Sequence, residues 1–222
     1  MSTTVEAQKI TLQWPDFAKQ PINSFKLPDS HLSFRLDVAE QRDLDPEVYV
    51  GYEVDLNSDE LFYHYLYDFQ SRDNPFLYLA LGDSGFDVLQ QGGDYSGGIN
   101  IRFAIARIQN IPEVVDVKNC DELERAVQHI FDQENDGERL GPDFCWEEVG
   151  GKNFLRENCG CPRSNPAYAF YLPIDHRNVF IVDVSFGGYV PIGEPHPPAL
   201  FDALMDGVRD FLSYVQLEKI KG

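Results

Sequence analysis

The sequence predicts an α+β domain: a mainly antiparallel sheet with two or three helices packed on it. Three observations lead there. Several segments alternate apolar and polar residues with period two, two others repeat apolar residues at helical spacing, and the connections between them are rich in Gly and Pro. The order is strands first, then a helix, more strands and a closing helix. Residues 1–222 read as one domain, with 1–29 as a candidate peripheral segment.

The strands come from alternation. In 31–38, Leu32, Phe34, Leu36 and Val38 share one face, opposite His31, Ser33, Arg35 and Asp37. In 47–56, Val48, Val50, Tyr52, Val54 and Leu56 oppose Glu47, Tyr49, Glu53 and Asp55. In 99–105, Ile99, Ile101, Phe103 and Ile105 oppose Asn100 and Arg102. Such strands lay one face on a core and turn the other to water. Residues 76–81, 167–172 and 179–186 are more uniformly apolar and read as central strands.

A first helix is capped by Asn119 or Asp121 and lines up Leu123, Val127, Ile130 and Phe131 on one stripe. A second begins after Pro197-Pro198 and runs to about Leu217, with Phe201, Leu204, Val208, Phe211, Leu212 and Val215 as its stripe. Proline is tolerated in a first turn because its missing N–H has no helical partner there. Residues 59–69 carry both patterns. Five aromatics suit a strand, but Leu61, Tyr65 and Phe69 fit a helical stripe, and the caps Asn57 or Ser58 favour helix. The interval 132–166 has weak periodicity and is expected to cover one face or the sheet edge.

Composition excludes several classes. With 43% hydrophobic residues and 16 Phe, 11 Tyr and 2 Trp the chain can fill a core, so it is not a disordered acidic segment. Against 37 acidic side chains stand 18 basic ones, for a net charge of −19 and a pI near 4.4. Phosphate recognition needs clustered Lys and Arg, so nucleic acid and anionic membranes are disfavoured as partners and a basic protein is favoured. The opening residues lack the basic segment and apolar run of a secretory signal, and no apolar stretch approaches the roughly 18 residues of a spanning helix. Cys120, Cys145, Cys159 and Cys161 show no regular disulfide framework. A soluble, cytoplasmic protein with reduced thiols is expected.

No motif names an activity. Gly82-Asp83-Ser84-Gly85 looks like the nucleophile signature of trypsin-type proteases, but the surroundings of His64 do not fit, and a tight turn is the expectation. The four glycines of Gly92-Gly93-Asp94-Tyr95-Ser96-Gly97-Gly98 precede a strand and lack a Lys, so they read as a hairpin turn, not a phosphate cradle. Asp132-x-Glu134-x-Asp136-Gly137 resembles the start of a calcium loop, yet Asp143 is short for its closing ligand and Arg139 sits where an apolar residue belongs. Cys159-Gly160-Cys161 has the wrong spacing for a zinc knuckle, and His176 and His196 have no diagnostic spacing. Asp175-His176 reads as a turn. No catalytic residue, cofactor or metal ligand is assigned.

The charge is unevenly placed. From Asp37 to Glu60 there are nine acidic side chains and one basic, net −8; from Glu113 to Glu148 there are twelve and three, net −9. These windows are either solvated faces or binding surfaces for a cationic partner, and Tyr49, Tyr63, Phe144 and Trp146 lie in or beside them as candidate anchors. The aromatic strands Glu47-Val-Tyr-Val-Gly-Tyr-Glu and Val179-Phe-Ile-Val-Asp-Val-Ser-Phe-Gly-Gly-Tyr, the acidic windows and the missing catalytic motif resemble immunity proteins of bacterial polymorphic toxin and type VI secretion systems. That resemblance implies a cytosolic inhibitor of one cognate toxin, with a nuclease suited by its basic cleft. The expected partner-binding residues are Asp43, Asp45, Glu47, Tyr49, Glu53, Asp132, Glu134, Asp136, Glu138 and Trp146. The rival expectation is a small-molecule binder or enzyme with a site near the glycine-rich loops 82–98 and 187–193.

Overall fold

The computed structural model describes residues 12–37, 50–58, 62, 75–90, 96–134, 143–158, 167–187 and 198–220. The elements are β1 (Leu12–Gln13), β2 (Ile22–Lys26), β3 (Ser30–Arg35), β4 (Val50–Glu53), β5 (Phe76–Gln90) and β6 (Ser96–Ile108), then helix α1 (Cys120–Glu134). They continue with β7 (Phe144–Val149), β8 (Lys152–Asn158), β9 (Ala167–Pro173), β10 (Asn178–Gly187), helix α2 (Pro198–Ser213) and β11 (Gln216–Lys219). A seven-stranded sheet runs β1-β5-β6-β10-β9-β8-β7, and a four-stranded sheet runs β11-β3-β2-β4. All pairs are antiparallel except β2 with β4. The fold class is α+β, as the alternation predicts.

The large sheet is the middle layer. Its one face packs on the small sheet and α2 through aromatic side chains: Phe34 stacks on Phe103 with ring centres 4.3 Å apart, and Phe211 of α2 lies 5.8 Å from the same ring. Its other face is covered by α1, whose Leu123, Val127 and Ile130 share a core with Ala106, Leu155 and Ile181. Strands buried on both faces read as near-continuous apolar runs, which is why β9 and β10 lack alternation over much of their length. Among the described residues no helix is long and apolar enough to cross a membrane.

Several expectations need correction. Residues 12–29 are not peripheral: β1 pairs with β5, β2 is interior to the small sheet, and Phe17 is 1% exposed in the core. The supposed turn at 82–85 is continuous strand within β5, which absorbs Gly82 (φ 143°) at a register shift after Ala80. A bulge needs an unusual backbone angle, and glycine supplies it without a side-chain penalty. Ser84 there is buried and donates to the Asp37 carbonyl at 2.6 Å, an ordinary packing role. The second helix stops at Ser213, not near Leu217, because the next residues pair as β11 with the exposed edge of β3. Tyr52 faces outward on β4 instead of joining the apolar face, since the register with β2 shifts beside it.

The weakly periodic interval 132–166 holds a hairpin, β7–β8, at the edge of the large sheet. Gly150 and Gly151 turn it with φ of 58° and 73°, the double positive angle that a two-residue hairpin loop requires. β5 and β6 pair as antiparallel neighbours up to Leu89 and Ser96; of the glycine segment 92–98, residues 92–95 lie outside the described residues and Ser96, Gly97 and Gly98 belong to β6. Of 59–69, only Phe62 is described, helical and buried.

Candidate functional site

Helix α1 is fixed at its start by two devices. The Asn119 side-chain carbonyl accepts from the Asp121 amide at 3.0 Å, and the Glu122 carboxylate accepts from the amides of Val115 and Asp116 at 2.6 and 2.8 Å. Those backbone donors, Asp116 first and Val115 second, hold the Glu122 carboxyl below the usual carboxylate range. The helix then lies across the sheet over Ala106, Val179 and Ile181, while Asp121, Arg125, Gln128 and Asp132 form its outer face. The spacing of these four places them on adjacent turns of one stripe.

Towards the end of α1 the covered face becomes polar. In register across four adjacent strands lie Ala169, Asp183, Arg102 and Asp83, and Glu157 pairs with Ala169 on the far side. Glu157, Asp183 and Arg102 of this row line a groove of ≈ 500 Å³ walled by Val127, Ile130 and Phe131 of α1. Glu157 is 5% exposed and accepts from the Tyr171 hydroxyl at 2.6 Å. Asp183 is open to water at the groove floor but has protein on most sides. This loss of hydration raises its pKa to about 6, while the Arg102 charge pulls the other way. A second cavity of ≈ 500 Å³ shares Asn100 and Ser185 with the first and continues over Gly85, Gly98 and Gly187. A Cβ added at Gly98 would meet nothing within 4 Å, so the glycines leave this stretch of sheet bare.

The expected partner-binding residues are scattered by comparison. Asp43, Asp45, Glu47, Tyr49, Asp136 and Glu138 lie outside the described residues, as do Cys159, Cys161, His64 and His196. Glu53 is exposed on the edge strand β4 and pairs with Lys26 at 3.2 Å. Asp132 is exposed near the end of α1 and accepts from Gln128 at 2.7 Å; Glu134 is the last helical residue. Trp146 is half-buried against α1, and its indole N–H donates to Glu124.

The second acidic window thus divides. Glu122 and Glu124 are committed to fixing α1, and Glu147 is held between Arg156 and Arg209 where β7 meets α2. Glu113, Asp121, Asp132, Asp143 and Glu148 remain exposed.

Cys120 is exposed and Cys145 half-buried, and both are free thiols. Asp175 accepts from the amides of Arg177 and Asn178 at 2.9 Å, which makes the Asp175-His176 pair a turn, as expected. Among the described residues no group of three His, Cys, Asp or Glu side chains is placed to hold a metal ion.

Residues of 82–98 and Gly187 do border the second cavity, but as strand, not loop, and the groove's charged floor was not foreseen. A signal existed: Asp183 and Ser185 interrupt β10 on one face only, and Asn100 and Arg102 sit opposite them on β6. Compared with protein-family models, curated proteins and solved structures, the chain finds no match in any of the three.

Proposed function

We propose that this protein is an acidic, cytoplasmic inhibitor that binds and neutralises a cognate bacterial toxin, in the manner of an immunity protein. The observation that supports this reading is the outer face of α1. Asp121 and Asp132 are exposed on one stripe, and Glu113 and Asp143 lie exposed on the segments flanking the helix. The helix itself is anchored to the loop before it by Glu122 and to β7 by Glu124. A rigid element carrying solvent-exposed carboxylates accelerates encounter with a basic surface and rejects acidic ones. A nuclease toxin suits such a face, because the cleft that receives phosphates is basic.

The test is association with a basic toxin domain encoded beside this chain, followed by stopped-flow at rising salt. The on-rate should fall steeply with ionic strength, and Asp121→Lys with Asp132→Lys should slow association while leaving the thermal midpoint almost unchanged. An on-rate indifferent to salt and to both reversals rejects the reading. Charge reversals at Asp43 and Glu47 examine the other acidic window in the same assay.

A further inference from the structure

We propose that the groove between α1 and the central sheet binds a small zwitterion, one molecule carrying an ammonium and a carboxylate on an apolar stem, as a free amino acid does. The argument starts from Asp183 and Arg102. They are direct cross-strand partners on β10 and β6, where opposite charges ordinarily close on each other. Here they attract without closing: among the described residues neither side chain makes a hydrogen bond or ion pair, so both present their charges to the groove. Asp83, on the other side of Arg102, has an interaction of its own.

The remaining lining selects the ligand by elimination. An anion alone meets Asp183 and the buried Glu157. A cation alone leaves Arg102 unmatched, and an apolar molecule strips water from both charges at a cost of several kcal/mol, on the order of that for any unpaired buried ion. A zwitterion answers each group. Its ammonium meets Asp183, on the side of the buried Glu157, and its carboxylate meets Arg102 one strand away. Adjacent strands are about 4.8 Å apart, a spacing that the two charged ends of an amino acid can bridge. The stem lies against Val127, Ile130 and Phe131, and ≈ 500 Å³ is ample for a molecule of that size. The site is on the inner side of α1 and does not depend on the inhibitor reading, which concerns the outer face.

The experiment is calorimetry and thermal melting of the full chain near neutral pH with leucine and phenylalanine. The controls are 3-methylbutylamine and 4-methylpentanoate, which each carry one of the two charges. At least one of the amino acids should bind with a Kd of about 1 mM or tighter. Either single-charge analogue should be weaker by roughly tenfold or more, the loss expected of a charged pair left half-made. Asp183→Asn and Arg102→Gln should each reduce amino-acid affinity by a similar factor. Ala167→Leu, which enlarges a side chain of the groove's own lining, tests the groove by obstruction and should abolish binding while the variant melts cooperatively. No binding by either amino acid at about 10 mM overturns the proposal. So do equal binding by the amine and the amino acid, and affinity unaffected by Asp183→Asn and Ala167→Leu.

Discussion

The central sheet has two faces made by the same strands, and they are finished differently. On β10, Phe180, Val182, Val184 and Phe186 point to the small sheet and α2, and all four are buried. On the opposite side Val179 and Ile181 are buried under α1, but Asp183 and Ser185 are exposed. Among the described residues one face has a cover as long as the strand, while the other has a single helix that leaves Asp183 and Ser185 exposed. The difference teaches where to look in a fold with no catalytic motif: polar side chains gather where the cover stops, and there the sheet floors an open groove.

The comparison is broken most severely from its covered side. Phe103→Ala removes a ring stacked on Phe34 and touching Phe180 and Phe211, and should cost about 3–5 kcal/mol in urea unfolding. A loss below about 1 kcal/mol would mean that the aromatic layer is not the main cement.

Gly207→Ala comes next. Its Cβ would fall 1.8 Å from the Trp14 ring, so the helix and the β1 segment cannot both stay in place. A loss of about 1–3 kcal/mol is expected, although alanine is the better helix former by about 1 kcal/mol. In a Trp14→Ala background the same change should turn neutral or stabilising. A loss unaltered by that background places the strain elsewhere.

On the half-bare face, Asp183→Asn should act with the opposite sign. The folded carboxyl titrates at about 6 against an ordinary 3.8, so the folded state holds this proton more tightly than the unfolded one. The penalty is therefore complete above about 6 and fades as pH falls towards 3.8. Asparagine should raise the thermal midpoint at neutral pH and give no gain in mild acid. An equal gain at both would assign the effect to shape, not charge.

The smallest effect is expected at the start of the helical cover. The backbone donors of Glu122 lower its carboxyl, so its contribution is present above the ordinary carboxylate range and lost as pH falls through its lowered value. Glu122→Gln should speed amide exchange at Val115 and Asp116 at neutral pH, and the difference from wild type should close in strong acid.

Much of this architecture was legible from spacing alone. Period-two alternation marks β3 and β6, and apolar stripes behind Asn119 and Pro198 mark both helices, because local burial patterns repeat with the geometry of the element. The Gly82–Gly85 segment misleads because turn-forming residues also serve bulges, and only the pairing partner distinguishes the two. The β7–β8 hairpin escapes because its strand β7 is half-buried along most of its length and shows little alternation. Trp146 was legible as an anchor but not as one turned inward to Glu124.

The amino-acid sequence by itself determined the class of fold, the elements with strong periodicity and the uneven placement of the −19 charge, since each depends on neighbours along the chain. Only the tertiary structure decided which acidic groups are occupied and which are presented. Glu122, Glu124 and Glu147 differ from Asp121 and Asp132 not in charge or window but in what another segment brings within reach. The same holds for the groove. Asp83, Arg102, Glu157 and Asp183 are dispersed over a hundred residues, and the register of the sheet places them in one row. Register is a long-range property: each strand's position is set by the core it buries with its neighbours, and no local pattern can announce it.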